Sequence, residues 1–235
     1  VDRIRDSAAL ARVKEAALDA LAVLSPVECA GCGTPDRSLC RECLRELHGH
    51  PDVVITGDGS DRLSVWSALE YDGVPRAVLL AFKEDGRTDT ARALAAPLRR
   101  VVDAALRGRP PESVGFAVIP SSRAAFRQRG YHPTAFLLAK AGLRASRVLR
   151  AARQTEDQAG LGLVERHWNR AGSLYAAPRA RGRTYLLVDD ILTTGATLQE
   201  ARRALEAAGA RVAGAATIAV TRRRRHRSSR SRNTR

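Results

Sequence analysis

Residues 185–201 read YLLVDDILTTGATLQEA, and they hold the side chains best suited to chemistry. Leu186, Leu187 and Val188 run into the adjacent carboxylates Asp189 and Asp190. Then come Thr193, Thr194, Gly195, Ala196 and Thr197. Two carboxylates accept hydrogen bonds from hydroxyls or help hold a hydrated metal. A Thr/Gly stretch that opens a helix offers hydroxyls, backbone N–H groups and the positive end of the helix dipole to an anion. In open α/β sheets the carboxyl end of a strand is where ligands sit. A phosphate cradle beside a carboxylate pair describes a sugar phosphate with a vicinal diol. No G-x-x-x-x-G-K-[ST] occurs, so this is not a P-loop. The plainer alternative is an Asp-capped helix with the second Asp solvated. The whole run V-D-D-x-x-T-T-G after apolar residues weighs against it.

A second cluster is Cys29-x2-Cys32-x7-Cys40-x2-Cys43, which contains all four cysteines. Two abutting C-x-x-C knuckles suit a tetrahedral Zn²⁺, and four thiolates leave no open position, so such a zinc is structural. Disulfides or unliganded thiols are the alternative, and a cytosolic setting disfavours the former.

These groups need elements to hold them. Apolar spacing predicts an amphipathic helix within 1–24, through Ile4, Leu10, Val13, Ala17, Leu21 and Leu24. Pro51 to Asp61 reads as linker or hairpin, and Leu63 to Tyr71 as a strand. Helices are expected over Val74 to Phe82, Thr90 to Arg107 and Thr134 to Ala141. Strands are expected over Val114 to Pro120 and Arg147 to Ala152, and Gln158 to Trp168 is helical at its end. Thr184 to Asp189 is the strand that delivers the carboxylates, Thr197 to Ala208 the helix after it, and Arg211 to Val220 a last strand. Alternating strands and helices predict an α/β fold with a mainly parallel sheet flanked by helices. The expected divisions are 1–24 helix, 25–60 cysteine module, 61–220 catalytic-type domain and 221–235 a disordered arginine-rich tail.

The 235 residues carry 40 Lys+Arg against 25 Asp+Glu, a net +15. The eight arginines of 222–235 supply eight of those charges and leave +7 on the body. A basic body implies an anionic partner such as nucleic acid, a polyphosphate metabolite or a membrane surface. Arginine outnumbers lysine heavily, as high-GC coding also produces. Apolar runs are far below the roughly 18 residues of a spanning helix, so no membrane insertion is expected. Lys14, Glu15 and Asp19 spoil a secretory signal, which makes the expected location cytoplasmic.

LLVDDILTTGAT resembles the phosphoribosyl pyrophosphate (PRPP) motif of type I phosphoribosyltransferases. Further stretches resemble the ComF family of amidophosphoribosyltransferase-like competence proteins. These are Tyr71, Gly73, Arg76, Lys83 and Gly86 in YDGVPRAVLLAFKEDGR, the run VIPSSRAAFRQRGYHP, and Arg153, Thr155, Gln158, Leu161, Arg166 and Asn169. The cysteine cluster sits where that family carries one. His132 stands where the family has Asn, and Leu174-Tyr175 where it has Ala-Phe.

The resemblance implies a type I phosphoribosyltransferase-like fold with a small N-terminal four-cysteine zinc module, and Mg²⁺-dependent transfer of phosphoribosyl with pyrophosphate release. The 5′-phosphate would sit on Thr193, Thr194, Gly195, Ala196 and Thr197, and the ribose hydroxyls would face Asp189 and Asp190, the catalytic pair. The pyrophosphate would lie by Ser121, Ser122 and Arg123, with Arg127 and Arg129 on a following flexible loop. Lys83 would contact phosphate or be an exposed helix end. His132 would be a base or a turn residue before Pro133. Some purine transferases place an Asp where Thr193 stands, so any base here lies elsewhere. The family also implies DNA uptake and competence-machinery partners. Two other readings stay open on the same fold: a non-catalytic accessory protein that binds DNA or RNA through its basic surface and tail, and a PRPP-sensing regulator.

Overall fold

The computed structural model describes residues 27–152 and 172–221. The expected helix in 1–24, the positions Arg153, Thr155, Gln158, Leu161, Arg166 and Asn169, and the tail from Arg222 lie outside them. The cysteine loop leads into α1 (Arg41–Glu46). Next come β1 (Asp52–Thr56), β2 (Leu63–Glu70), α2 (Gly73–Lys83), α3 (Ala91–Ala105) and β3 (Val114–Val118). After α4 (Arg123–Arg129) and α5 (Pro133–Lys140) lie β4 (Ala145–Ser146), β5 (Leu149–Ala151) and β6 (Leu174–Ala176). The chain closes with β7 (Thr184–Leu192), α6 (Ala196–Ala207) and β8 (Arg211–Val220).

Six strands form one sheet in the order β1-β2-β8-β7-β3-β4, and β5 and β6 make a separate antiparallel pair. Only β1, against β2, runs antiparallel in the large sheet. The mixed, mainly parallel α/β class expected from the alternation of periods is therefore the one observed. The segment read as linker or hairpin before residue 61 is the hairpin, and its first strand is an edge of the main sheet.

The central strands are apolar because helices cover both faces. In β8 the run Gly214 to Val220 is buried throughout. Alternate residues divide between two cores. Leu186 and Val188 of β7 join Val78, Leu79, Phe82, Leu94, Leu98 and Val101 of α2 and α3. Leu187 of β7 joins Val65 and Ala215 with Leu198, Ala201 and Leu205 of α6. Burying a side chain the size of Phe82 stabilises by about 1.5–3 kcal/mol, and Phe82 is fully buried. The spacing Leu94, Leu98, Val101, Val102, Ala105 puts one stripe of α3 on the sheet.

Arginines fasten the cysteine module to this body. Arg87 donates to the carbonyls of Glu28 and Ser38 while paired with Asp89. Arg100 of α3 donates to the carbonyls of Leu47 and Gly49. Among the described residues, no helix is long and apolar enough to cross a membrane.

Candidate functional site

Strand β7 carries the carboxylates further than the sequence suggested. It continues past Asp189 to Leu192, held by pairing with β8 as far as Leu192 opposite Val220. Thr221, expected to begin the tail, donates from its N–H and hydroxyl to the Leu192 carbonyl and finishes that ladder. The two aspartates thus stand in extended backbone, and their side chains leave on opposite faces of the sheet.

Asp190 faces α2. Its Oδ2 lies 2.9 Å from Lys83 Nζ, and the aspartate is 8 % exposed. Lys83 is therefore an ion-paired residue of the corner, not an exposed helix end. Burial pulls the Lys83 ammonium down, but the adjacent Asp190 and Asp189 charges outweigh it and hold the pKa above its usual value. Asp189 is half-buried on the α6 side, and its Oδ1 accepts the Asp190 backbone N–H at 2.9 Å. Burial, with the Asp190 charge adding to it, pushes Asp189 up to about 7 against the opposing pull of Lys83.

Beyond β7, Thr193 and Thr194 are exposed and Gly195 turns left-handed at φ 81° as the cap of α6. A Cβ at Gly195 would come within 2.9 Å of Thr56 Cβ and Cγ2, so only glycine fits there. Thr194 Oγ1 accepts from Ala196 N–H at 3.3 Å. Helix geometry leaves the amides of Thr197 and Leu198 without an intrahelical acceptor. Gln199 Nε2 donates to the Thr56 and Asp61 carbonyls, locking the β1–β2 turn beside this first turn.

The segment after β3 completes the corner. Ser121 and Ser122 are half-buried in irregular backbone. Ser122 Oγ caps α4 by accepting from Ala125 N–H at 3.1 Å. Arg127 and Arg129 were expected on a flexible loop and Arg123 in the loop before it, and all three lie within helix α4. Ser122 at the cap and a left-handed Gly130 at the other end delimit that helix. Arg127 is exposed, whereas Arg129 is half-buried and its Nη2 lies 2.6 Å from Glu84 Oε1. Glu84 follows Lys83 in the chain, so α4 is tied to the residue next to the one that holds Asp190. Tyr131 donates its hydroxyl to the Phe82 carbonyl from the same side. His132 caps α5 and stacks on Phe126 with centroids 4.6 Å apart. Burial, then the charge of Arg147, holds its pKa below the usual value.

The structure thus brings Asp189, Asp190, Lys83 and the start of α6 together, with α4 linked to them through Arg129. Sequence reasoning missed Glu84, Thr56 and Gln199. Polar residues at strand and helix ends are common, and only their partners far along the chain mark these three.

In the cysteine module the four Sγ atoms lie within 4.8 Å of one another. Cys32 and Cys40 Sγ are 3.7 Å apart. Tetrahedral zinc with Zn–S near 2.3 Å needs sulfurs about 3.8 Å apart, so the donors fit. Backbone amides shape the knuckles. Cys40 N–H donates to Cys29 Sγ and Cys43 N–H to Cys40 Sγ. Burial raises the Cys29 thiol, but the N–H groups of Cys40, Cys32 and Gly31 outweigh it and hold it at about 6. Burial and the neighbouring thiols push Cys43 up. Gly31 packs so tightly that a Cβ would meet Cys43 Sγ at 2.6 Å.

Comparison with known proteins bears on the first site. No curated protein matches this sequence. Among solved structures, adenine phosphoribosyltransferase from Leishmania tarentolae is 15 % identical, covering 71 % of this chain and 82 % of its own, with a TM-score of 0.32. Residues 128–234 match a family model described as phosphoribosyl transferase domain. The β7–α6 corner lies inside that span, and over it the chain is similar to a phosphoribosyl transferase domain.

Proposed function

We propose that the protein binds PRPP as its magnesium complex and transfers the phosphoribosyl group to an acceptor with release of pyrophosphate. The observation that carries this reading is the corner itself. Two adjacent carboxylates stand near the end of a central parallel strand, and a left-handed glycine opens a helix five residues after the second, within the span similar to a phosphoribosyl transferase domain. In this reading the 5′-phosphate takes the free amides and hydroxyls from Thr193 to Thr197. The ribose hydroxyls donate to Asp189 and Asp190, which also favour the positive charge that builds on the ribose as pyrophosphate leaves. Ser121 and Ser122 flank the pyrophosphate, and the charges of α4, Arg127 and Arg129 first among them, oppose its charge. Lys83 already neutralises one carboxylate, and the ribose hydroxyls share Asp190 with it. The four-cysteine module holds a structural zinc and takes no part in the transfer.

The test is calorimetry of PRPP with Mg²⁺, followed by pyrophosphate release across a panel of bases and amines. Replacing both Asp189 and Asp190 with Ala should weaken binding by about 100-fold or more, since each removes a hydrogen bond to a charged group. Wild-type protein that takes up no PRPP overturns the reading.

The basic balance supports a second activity on the same chain, contact with DNA or RNA phosphates outside the cleft. The ComF resemblance would connect that activity with DNA uptake. A PRPP-sensing role without turnover would show binding in the calorimeter and no pyrophosphate in the panel.

A further inference from the structure

Two hydroxyls are buried near the carboxylate corner without a partner. Thr217 of β8 is 0 % exposed and Ser67 of β2 is 2 % exposed. Neither Thr217 Oγ1 nor Ser67 Oγ makes a hydrogen bond. Most buried side-chain polar groups are satisfied, so each exception calls for a reason.

Their register supplies one. Thr217 is the cross-strand partner of Asp189 on one side and of Ser67 on the other. Paired residues of a parallel sheet point to the same face and lie about 4.8 Å apart. One step back along the strands, Leu187, Ala215 and Val65 form the matching row, and all three are buried in the core beneath α6. Period-two alternation therefore sends Asp189, Thr217 and Ser67 to that same face. Toward the carboxyl ends of the strands, the sheet passes from an apolar row to a row of one carboxylate and two hydroxyls. Valine or alanine would have continued the apolar surface and left nothing unpaired.

Among the described residues, Asp189 receives one hydrogen bond and has acceptor capacity left for another. One oxygen has the Asp190 N–H, while Lys83 pairs with Asp190. When ribose hydroxyls approach from the outer side, the carboxylate must be ionised and fixed in direction beside a second carboxylate. A threonine hydroxyl rotates freely about its Cβ–O bond and donates to an acceptor on the adjacent strand. We propose that Thr217 is a positioning residue for Asp189, its hydroxyl donating to the carboxylate when the sugar is bound. Ser67 lies behind it as a second polar group in the row. The inference rests on the PRPP reading given above.

The experiment compares Thr217→Val and Thr217→Ser with wild type in three measurements: affinity for PRPP with Mg²⁺, affinity for pyrophosphate with Mg²⁺, and thermal midpoint. Removing an unpartnered hydroxyl in favour of a methyl is neutral or stabilising for the free chain, so T217V should fold with an unchanged or higher midpoint. It should bind PRPP about tenfold or more weakly, the loss of a hydrogen bond to a charged group. Pyrophosphate affinity should stay at the wild-type value, because only the sugar meets Asp189. T217S, which restores the donor, should recover most of the PRPP affinity. If T217V binds PRPP like wild type, the inference falls and the PRPP reading stands. Equal losses for PRPP and pyrophosphate also overturn it, since they mark a general structural effect. A wild-type protein that binds pyrophosphate but not PRPP removes the reading and the inference with it.

Discussion

Asp189 and Asp190 are neighbours in sequence with different surroundings. Asp190 is neutralised by Lys83 at 2.9 Å. Asp189 bears the burial cost and the repulsion from Asp190, which place its pKa at about 7. A group raised in the folded state adds stability below its unfolded pKa and loses it as pH climbs through the folded one. Stability should therefore fall between about pH 4 and about pH 7 on account of Asp189. PRPP affinity should move the opposite way, because only the ionised carboxylate accepts two hydroxyl hydrogens. Calorimetry from about pH 6 to about pH 8 should show tighter binding at the upper end. Asp189→Asn should bind weakly with no such slope. A slope that persists in the Asn variant would assign the titration to another group. The identity of the two carboxylates was legible in VDDILTTGAT. Their opposite-facing environments were not, because Lys83, which pairs with Asp190, and Thr217, which stands opposite Asp189 across the strands, come from remote parts of the chain.

At the scale of elements, the β5–β6 pair depends on one buried acid of α6. Glu200 is 6 % exposed, and its Oε1 accepts the Leu174 N–H at 2.9 Å. Arg203 ion-pairs with it at 2.7 Å and donates to the Leu174 carbonyl. Burial raises the Glu200 carboxyl, but Arg203 and the Leu174 amide outweigh it and hold its pKa below the usual range. Its contribution is thus present above the unfolded pKa and lost as pH falls through the folded one. Glu200→Ala should cost about 1–3 kcal/mol in a urea melt, chiefly by orphaning a buried amide. A change under about 0.5 kcal/mol would show that β6 is held by packing alone. Apolar spacing disclosed the longer elements: α2, α3, α6, β2 and β8 start and end within two residues of expectation. Strand β5 falls within the strand expected over Arg147 to Ala152, whereas the three residues of β6, pinned by such tertiary bonds, carry too little periodicity to predict. Helix α4 escaped notice because RAAFRQR is polar and only its Ser122 and Gly130 ends carry a signal.

Across the whole molecule, the cysteine module and the sheet are joined by Arg87 and Arg100 through backbone carbonyls. Purified protein should contain one zinc per chain by elemental analysis, and Cys29→Ser should lose it. Chelation should then lower the thermal midpoint, since metal binding that favours the folded state adds to folding free energy. Metal-free protein of undiminished stability would refute a structural zinc. The charge distribution makes a separate prediction. Eight of the +15 charges lie in 222–235, so any affinity for nucleic acid should fall steeply with salt and weaken when that segment is deleted. Undiminished binding by the truncated chain at low salt would move the contact to the body.

The sequence by itself determined the local chemistry. Consecutive residues set the aspartate pair, the threonine-glycine turn, the spacing of the cysteines and the alternation that makes an α/β sheet, because each depends on neighbours a few positions away. Only the tertiary structure decided which groups act on them. Lys83 meets Asp190 because α2 packs on the face that Asp190 shares with Val188. Thr217 stands beside Asp189 because β8 pairs with β7 in one particular register. Lys83 lies about a hundred residues upstream, and Thr217 is nearly thirty downstream. Strand register and helix packing are collective outcomes of burying the whole core, so no short stretch encodes them. What VDDILTTGAT announces as two like charges beside an anion cradle becomes, after folding, one neutralised carboxylate and one poised to ionise.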